Sequence, residues 1–285
     1  MTAQMRYRNL RTVIKLINEE RTYETNLVKK SRYKLLYTIQ KMADKRGIDT
    51  MIPYFWYQFG TVSPLPSVRP EPELPDQSEA LKEELRSLVR EALDLYYDDK
   101  LEGITDVMYR DAPYDVQREF RELDKKVRTH HEDYNDFYEV EPSRDSIIDS
   151  VYAVHDTFPT VKFREQEQDL SKWYTMFTRE VDKMDFNPDK LMEINLTFWR
   201  IFALRVAENH RHEMTKEEVK RELEISSFEA ARDSTRKNLR RIESRTLSDK
   251  FEGEDRPEPG SIESKAADAM VEPILAQELD GPFTD

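Results

Sequence analysis

Residues 54–64 read YFWYQFGTVSP: Tyr54, Phe55, Trp56, Tyr57 and Phe59 fall within six positions, and the run closes on Gly60 and Ser63-Pro64. Aromatic side chains favour the pleated backbone of a strand. Pro53 and Gly60 bracket the run with turn-forming residues, so the stretch predicts a short strand and a turn. Alternation puts Tyr54, Trp56 and Gln58 on one face and Phe55, Tyr57 and Phe59 on the other. A strand aromatic on both faces cannot leave both wet without exposing a large apolar patch. Tyr54, Phe55 and Trp56 are therefore expected mainly in the core, with Tyr57 or Phe59 the more exposed. If the strand instead offers an aromatic surface, Tyr54, Tyr57 and Phe59 are the candidate partner-binding residues, because aromatics concentrate at binding hot spots. Base stacking fits less well, since no Arg or Lys alternates with these rings.

Helical periodicity governs the chain on either side. Leu10, Val13 or Ile14, and Ile17 share one face of a first helix; Val28, Leu35, Ile39 and Met42 form the stripe of a second, with Asn26 as a capping residue and Gly47 as a stop. Beyond the strand, the prolines between Pro64 and Pro75 predict an extended linker. Leu81, Leu85, Leu88, Ala92 and Leu95 then repeat every three or four positions. Three more runs do the same, beginning at Val116, Ile147 and Leu170, the second with Ser143 or Asp145 as a cap. Residues 191–207, LMEINLTFWRIFALRVA, are apolar around most of the circumference, which marks the central buried helix of a bundle. A long final helix is predicted from about Thr215 to Leu247. The proline- and acid-rich residues 252–285 are expected to be disordered, apart from a short helix at VEPILAQEL.

The composition, 38% hydrophobic and 36% charged, suits solvated amphipathic helices better than a buried parallel sheet. No apolar run approaches the roughly 18 residues that span a bilayer, and the N-terminus has no signal-peptide core, so the expectation is a cytoplasmic protein without membrane contact. The absence of cysteine removes disulfides, thiolate metal sites and a cysteine nucleophile. The glycines at 47, 60 and 103 stand alone and none follows before Gly253, which leaves no glycine-rich phosphate cradle; no cofactor is expected. The net charge of −13 divides unevenly, with +8 on residues 1–70 and −21 on the remainder. A basic head on an acidic body directs attention to an anionic partner for the head.

Lys29, Lys30, Arg32, Lys34 and Lys41 on the second helix are the candidate nucleic-acid contacts, joined by Arg6, Arg8, Arg11 and Lys15 on the first; the competing reading is an ordinary solvated face. A second basic run places Arg232, Arg236 and Arg240 on one helical face and Lys237, Arg241 and Arg245 beside it. Residues 249–285 follow it with eleven Asp/Glu and three Lys/Arg. This is either a solvated helix before a disordered end or a basic face to which the acidic tail returns. In ENHRHE, residues 208–213, a helix would point His210 and His212 about 200° apart, so no shared metal is expected. No GxSxG occurs, and with 58 acidic residues chance carboxylate pairs carry no information; no catalytic residues are assigned and an enzyme is not expected.

The order of a helix bearing Lys34-Leu35-Leu36-Tyr37 and then the aromatic stretch Tyr54 to Pro64 resembles the Panacea antitoxin family and its winged-helix-like relatives. A looser likeness continues into LEGITDVMYRDAP, residues 101–113. It covers roughly residues 5–115, and departs from the pattern at Thr61-Val62 and at the proline linker. The resemblance implies a winged-helix-like N-terminal domain that works through protein–protein contact, with a toxin or an adaptor target as partner. The organisation expected is thus mostly α: a winged-helix-like domain at 1–140 with its linker at 64–75, a helical bundle at 141–250, and an acidic tail at 251–285. The leading functional expectation is a non-enzymatic regulatory binding protein, antitoxin-like or adaptor. The alternative is a DNA-binding regulator using the basic N-terminal helices, and a homodimer is compatible with either.

Overall fold

The computed structural model describes residues 3–22, 27–64, 78–129 and 142–248. Helices dominate it. Nine α-helices and one 3-10 turn occur among the described residues, with a single three-stranded antiparallel sheet. No described helix is long and apolar enough to cross a membrane. The described residues form two compact units, one from those up to Pro113 together with Arg205–Phe228, the other from Tyr114–Leu204 together with Glu229–Ser248. The expected boundary near 140, most of the 64–75 linker, Asn26 and the acidic tail lie outside the described residues.

In the first unit, α1 (Ala3–Glu20), α2 (Lys29–Arg46) and α3 (Glu79–Arg110) enclose a shared aliphatic core. Leu10, Val13 and Ile17 of α1 are fully buried there with Leu35, Leu36 and Ile39 of α2, as the spacing predicts. Gly47 ends α2 in the left-handed region at φ 68°, where a side chain would be strained. Its amide caps the carbonyls of Ala43 and Asp44. The helix α3 starts at Ser78, whose hydroxyl accepts from the Leu81 amide, and runs for 32 residues straight through Gly103 to Asp111. One isolated glycine costs only about 1 kcal/mol in a helix, and the helix continues through it.

The strand β1 (Tyr54–Tyr57) is central, between β2 (Gly60–Val62) and β3 (Arg211–His212). Tyr57 stands opposite Gly60, so Gln58 and Phe59 form the turn of a tight hairpin. On the other side Tyr54 pairs with His212 and Phe55 with Arg211. The stretch ENHRHE is therefore not wholly helical: the preceding helix ends at Asn209 and the chain turns extended.

In the second unit, α4 (Val116–Thr129), α5 (Arg144–Thr157) and α6 (Glu167–Val181) surround the apolar helix α7 (Pro188–Asn209), of which residues up to Leu204 belong here. Phe120 stacks on Trp199 at 3.8 Å with planes 4° apart, and Trp173 stacks on Phe198 at 5.0 Å. The Trp173 indole N–H donates to Asn195 Oδ1 at 3.1 Å, which satisfies the one polar atom that its burial strands. Ser143 caps α5 by accepting from the Ser146 amide.

The long final helix is corrected to two. A first, α8 (Lys216–Glu222), starts on a capping box between Thr215 and Glu218; the second, α9 (Phe228–Ser248), follows a break. Glu224 adopts a left-handed φ of 53° there, and the Ile225 amide returns to the Lys220 carbonyl at 3.0 Å. The next residues, Ser226-Ser227, favour a new helix start over continuation.

Candidate functional site

The aromatic strand lies in the first unit between α2 and the end of α3, and a polar network sets its entry. Gln40, buried on α2, donates to Asp44 Oδ1 at 2.7 Å and accepts from the Thr50 hydroxyl and the Ile52 amide, both at 2.6 Å. Asn9 of α1 donates to the Thr50 carbonyl at 2.7 Å. Apart from the exposed Asp44 carboxylate, the polar groups these bonds satisfy would otherwise be a buried cost. The network fixes the turn after Gly47 and so aims β1.

Trp56, 4% exposed, meets Tyr37 of α2 edge-on at 5.8 Å and Tyr109 of α3 edge-on at 5.9 Å. Tyr54 meets Tyr37 at 5.1 Å and stacks on His212 at 5.0 Å. The Tyr37 hydroxyl donates to Asp111 Oδ2 at 3.3 Å. Burial, reinforced by the Asp111 carboxylate, drives the Tyr37 hydroxyl far above the ordinary phenol value. Burial, with Asp44 and Asp111 adding to it, pushes Tyr54 up to about 12. Both phenols are thus held in the neutral form at physiological pH.

At the other end of the hairpin, Gly60 sits at φ 102°, and a Cβ there would lie 2.1 Å from Met108 Cε and 2.5 Å from Lys34 Nζ. The glycine is what lets α3 and Lys34 approach. The Met108 sulfur accepts from the Thr61 hydroxyl at 3.3 Å, and Lys34, itself buried, donates to the Phe59 carbonyl. The hairpin tip is thereby tied down from below, while Tyr57 and Phe59 remain half-buried at the surface. Lys30 lies 5.4 Å above the Phe59 ring.

The placement of the expected residues is uneven. Tyr54, a candidate for partner contact, is buried in the ring cluster; Tyr57 and Phe59 are the accessible pair. Phe55 is fully buried although it lies on the opposite face from Trp56, so both sides of β1 near its start are covered. Among the candidate nucleic-acid residues, Lys34 is spent inside the fold, Lys41 sits 5.7 Å over the Tyr37 ring, and Lys29 lies in the field of Glu222. Arg32 is half-buried, and burial lowers its guanidinium pKa. The five do not form one open cationic face. Arg6, on α1, donates to the Glu213 carbonyl and lies 3.8 Å from Glu218.

His212 is the ring in this cluster that sequence reading did not assign. In an extended segment His210 and His212 share a side, so the helical argument that separated them does not apply. No group of three or more His, Asp or Glu able to hold a metal occurs among the described residues. No protein-family description, curated protein or solved structure matches the chain.

Proposed function

We propose that this chain is a non-enzymatic regulatory binding protein, antitoxin-like or adaptor, that grips a protein partner with the Tyr57–Phe59 edge of its hairpin. In this reading α1, α2, α3 and the hairpin make up a winged-helix-like unit, with the β1–β2 turn as its wing, acting in the cytoplasm. The observation that carries the proposal is the contrast along one strand: Tyr54, Phe55 and Trp56 are locked in the core, while the next two rings stand half-open on a hairpin pinned by Lys34 and Met108. A rigid aromatic pair on a fixed backbone loses little freedom on binding, which is what an interface anchor needs. The polar groups beside it support binding over chemistry, since the tyrosine hydroxyls are held neutral and Lys34 is engaged by backbone.

The DNA-binding alternative draws less support, because its five cations are half-buried or engaged. One experiment separates the two readings. The tagged chain and a Tyr57→Ser/Phe59→Ser variant are each recovered from cells of the source, and the bound protein and nucleic acid are quantified. The proposal expects a protein held by the parent and lost from a variant with unaltered melting. Truncation of two anchors should cost more than roughly 2 kcal/mol, about thirtyfold in affinity. An identical set of bound proteins on both chains, or nucleic acid as the only retained species, overturns it.

A further inference from the structure

The packed helices α5 and α6 leave an aromatic face outside their core. Ile147, Val151 and Val154 of α5 and Leu170, Trp173 and Phe177 of α6 are buried. Tyr152 and Tyr174 lie off those stripes, the first 49% exposed and the second half-buried. Their rings meet at 6.0 Å, and the exposed His155 leans on Tyr174 at 5.0 Å, with planes inclined by 50° and 52°. Hydrogen bonding with Tyr152, then burial, raises the Tyr174 phenol above its ordinary value, so that hydroxyl stays protonated. Carboxylates frame the face. Asp149 precedes Tyr152 by three positions and Asp156 follows it by four, spacings that put the three side chains on one side of α5. Both acids are exposed and neither pairs with a lysine or arginine among the described residues; the contact of Asp156 is with His155, at 3.3 Å. The cations of these helices are directed elsewhere. Arg144 donates to the carbonyls of Val181 and Lys183, and Lys172 pairs with Glu243. Arg179 stands five positions beyond Tyr174, about 140° round α6.

Rings and carboxylates side by side match a guanidinium, whose plane stacks on a tyrosine while its edge forks onto a carboxylate. We propose that the Tyr152–Tyr174 face, framed by Asp149 and Asp156, docks an arginine-bearing segment of a partner protein. Charge selects the occupant: the face offers unpaired acids and no cation, so it repels an acidic segment and draws a basic one. An ammonium supplies the charge but not the planar fork, which makes lysine the poorer fit. Seven residues of helix separate the two acids, about 10 Å along the axis. One extended segment of three or four residues, at about 3.3 Å each, reaches both. The rings already brace each other, which limits the freedom lost on binding. Attraction between the segment and the acids speeds encounter and makes the contact sensitive to salt. This inference is independent of the Tyr57–Phe59 proposal, whose hairpin belongs to the first unit.

The test titrates a dye-labelled, end-blocked hexa-arginine peptide with the full chain at low salt and reads fluorescence anisotropy. A net charge of −13 attracts any polycation, so variants of equal charge are compared. Tyr152→Ser combined with Asp149→Asn/Asp156→Asn should weaken binding at least about tenfold, the order expected when a hot-spot ring and its flanking charges are lost together. Asp182→Asn/Asp185→Asn, which removes two exposed charges from the turn between α6 and α7, should change it less than about twofold. Tyr152→Phe keeps the ring and should bind within about twofold of the parent. Should the triple variant fail to fold, Tyr152→Ser alone, at an exposed position, is expected to lose at least about threefold. Equal losses in the two charge-matched variants, or parent-like binding by the Tyr152→Ser chains, overturn the proposal. Hexa-lysine binding as tightly as hexa-arginine overturns it too. So does sedimentation of the parent as a dimer that Tyr152→Ser dissociates, because the face would then belong to a second copy.

Discussion

Trp56→Ala is the substitution with the most to say about the first unit. The side chain is almost wholly buried and loses two edge-on ring contacts, to Tyr37 and Tyr109, each worth about 0.5–1.5 kcal/mol beyond area burial. Truncating a buried large aromatic costs about 3–5 kcal/mol in total. The hole would sit between α2, α3 and β1, where Gln40, Lys34 and Met108 already fix the neighbours, so little collapse can offset it. A value in the upper half of that range is expected. With a urea slope of roughly 2 kcal/mol/M, the unfolding midpoint of this unit should fall by roughly 2 M. The assay is hydrogen exchange across a urea series, read by mass spectrometry on separate peptides. Two units can unfold separately, so a whole-chain melt would blur the effect. Peptides covering 29–62 should lose protection about 2 M earlier than in the parent, and peptides covering 144–204 should not move. If the 29–62 peptides keep the parent midpoint, Trp56 is not the packing centre and the two faces of the strand have been assigned the wrong way round.

Other perturbations have smaller, distinct signatures. Gly60→Ala meets both a left-handed backbone and the Met108 methyl, so a loss of about 2–3 kcal/mol is expected in the same exchange assay; a neutral result would mean that the hairpin tip is not held as described. Burial favours protonation of Glu218, but Thr215, Arg6 and Tyr7 together outweigh it and hold the carboxylate below its usual range. A depressed acid contributes stability that is full above its unfolded pKa and is lost as pH falls through the folded one. Glu218→Gln should therefore be destabilising near neutrality and flatten the loss of stability below about pH 4.5; equal pH slopes for both chains would refute this. The raised Tyr54 hydroxyl works in the opposite direction, its contribution being full below about pH 10 and lost as pH rises towards 12. Tyr54→Phe should make alkaline unfolding less steep in that window, as followed by tyrosinate absorbance together with ellipticity.

Local regularities carried the helices. The runs from Leu10, Val116 and Ile147 all bury the residues their spacing selects, because an amphipathic stripe leaves one way to hide apolar area from water. The stripe of α2 holds at Leu35 and Ile39 but not at its ends, where Val28 is 40% exposed and Met42 half-buried. The aromatic strand, its turn at Gly60, the stop at Gly47 and the cap at Ser143 were legible for similar reasons: few residues tolerate those backbone positions. What escaped was decided at long range. The pairing of Tyr54 with His212 joins residues that no window of sequence brings together, and so the third strand was invisible. The basic helix looked like a ligand surface because charge says nothing about orientation; Lys34 and Tyr37, three positions apart, share a side of α2 that faces the hairpin. The break at Glu224 had a signal in Ser226-Ser227, which the reading of one helix from Thr215 to Leu247 passed over.

The central claim is that Tyr57 and Phe59 touch another protein. It is tested most directly by placing a photoreactive benzoylphenylalanine at position 59 and irradiating living cells of the source. Position 184, where Met184 is 96% exposed in the second unit, serves as the control. A discrete adduct containing a second protein from position 59, absent from position 184 and reduced by Tyr57→Ser, is the expected result. The same adducts from both positions, or adducts only with nucleic acid, would contradict it.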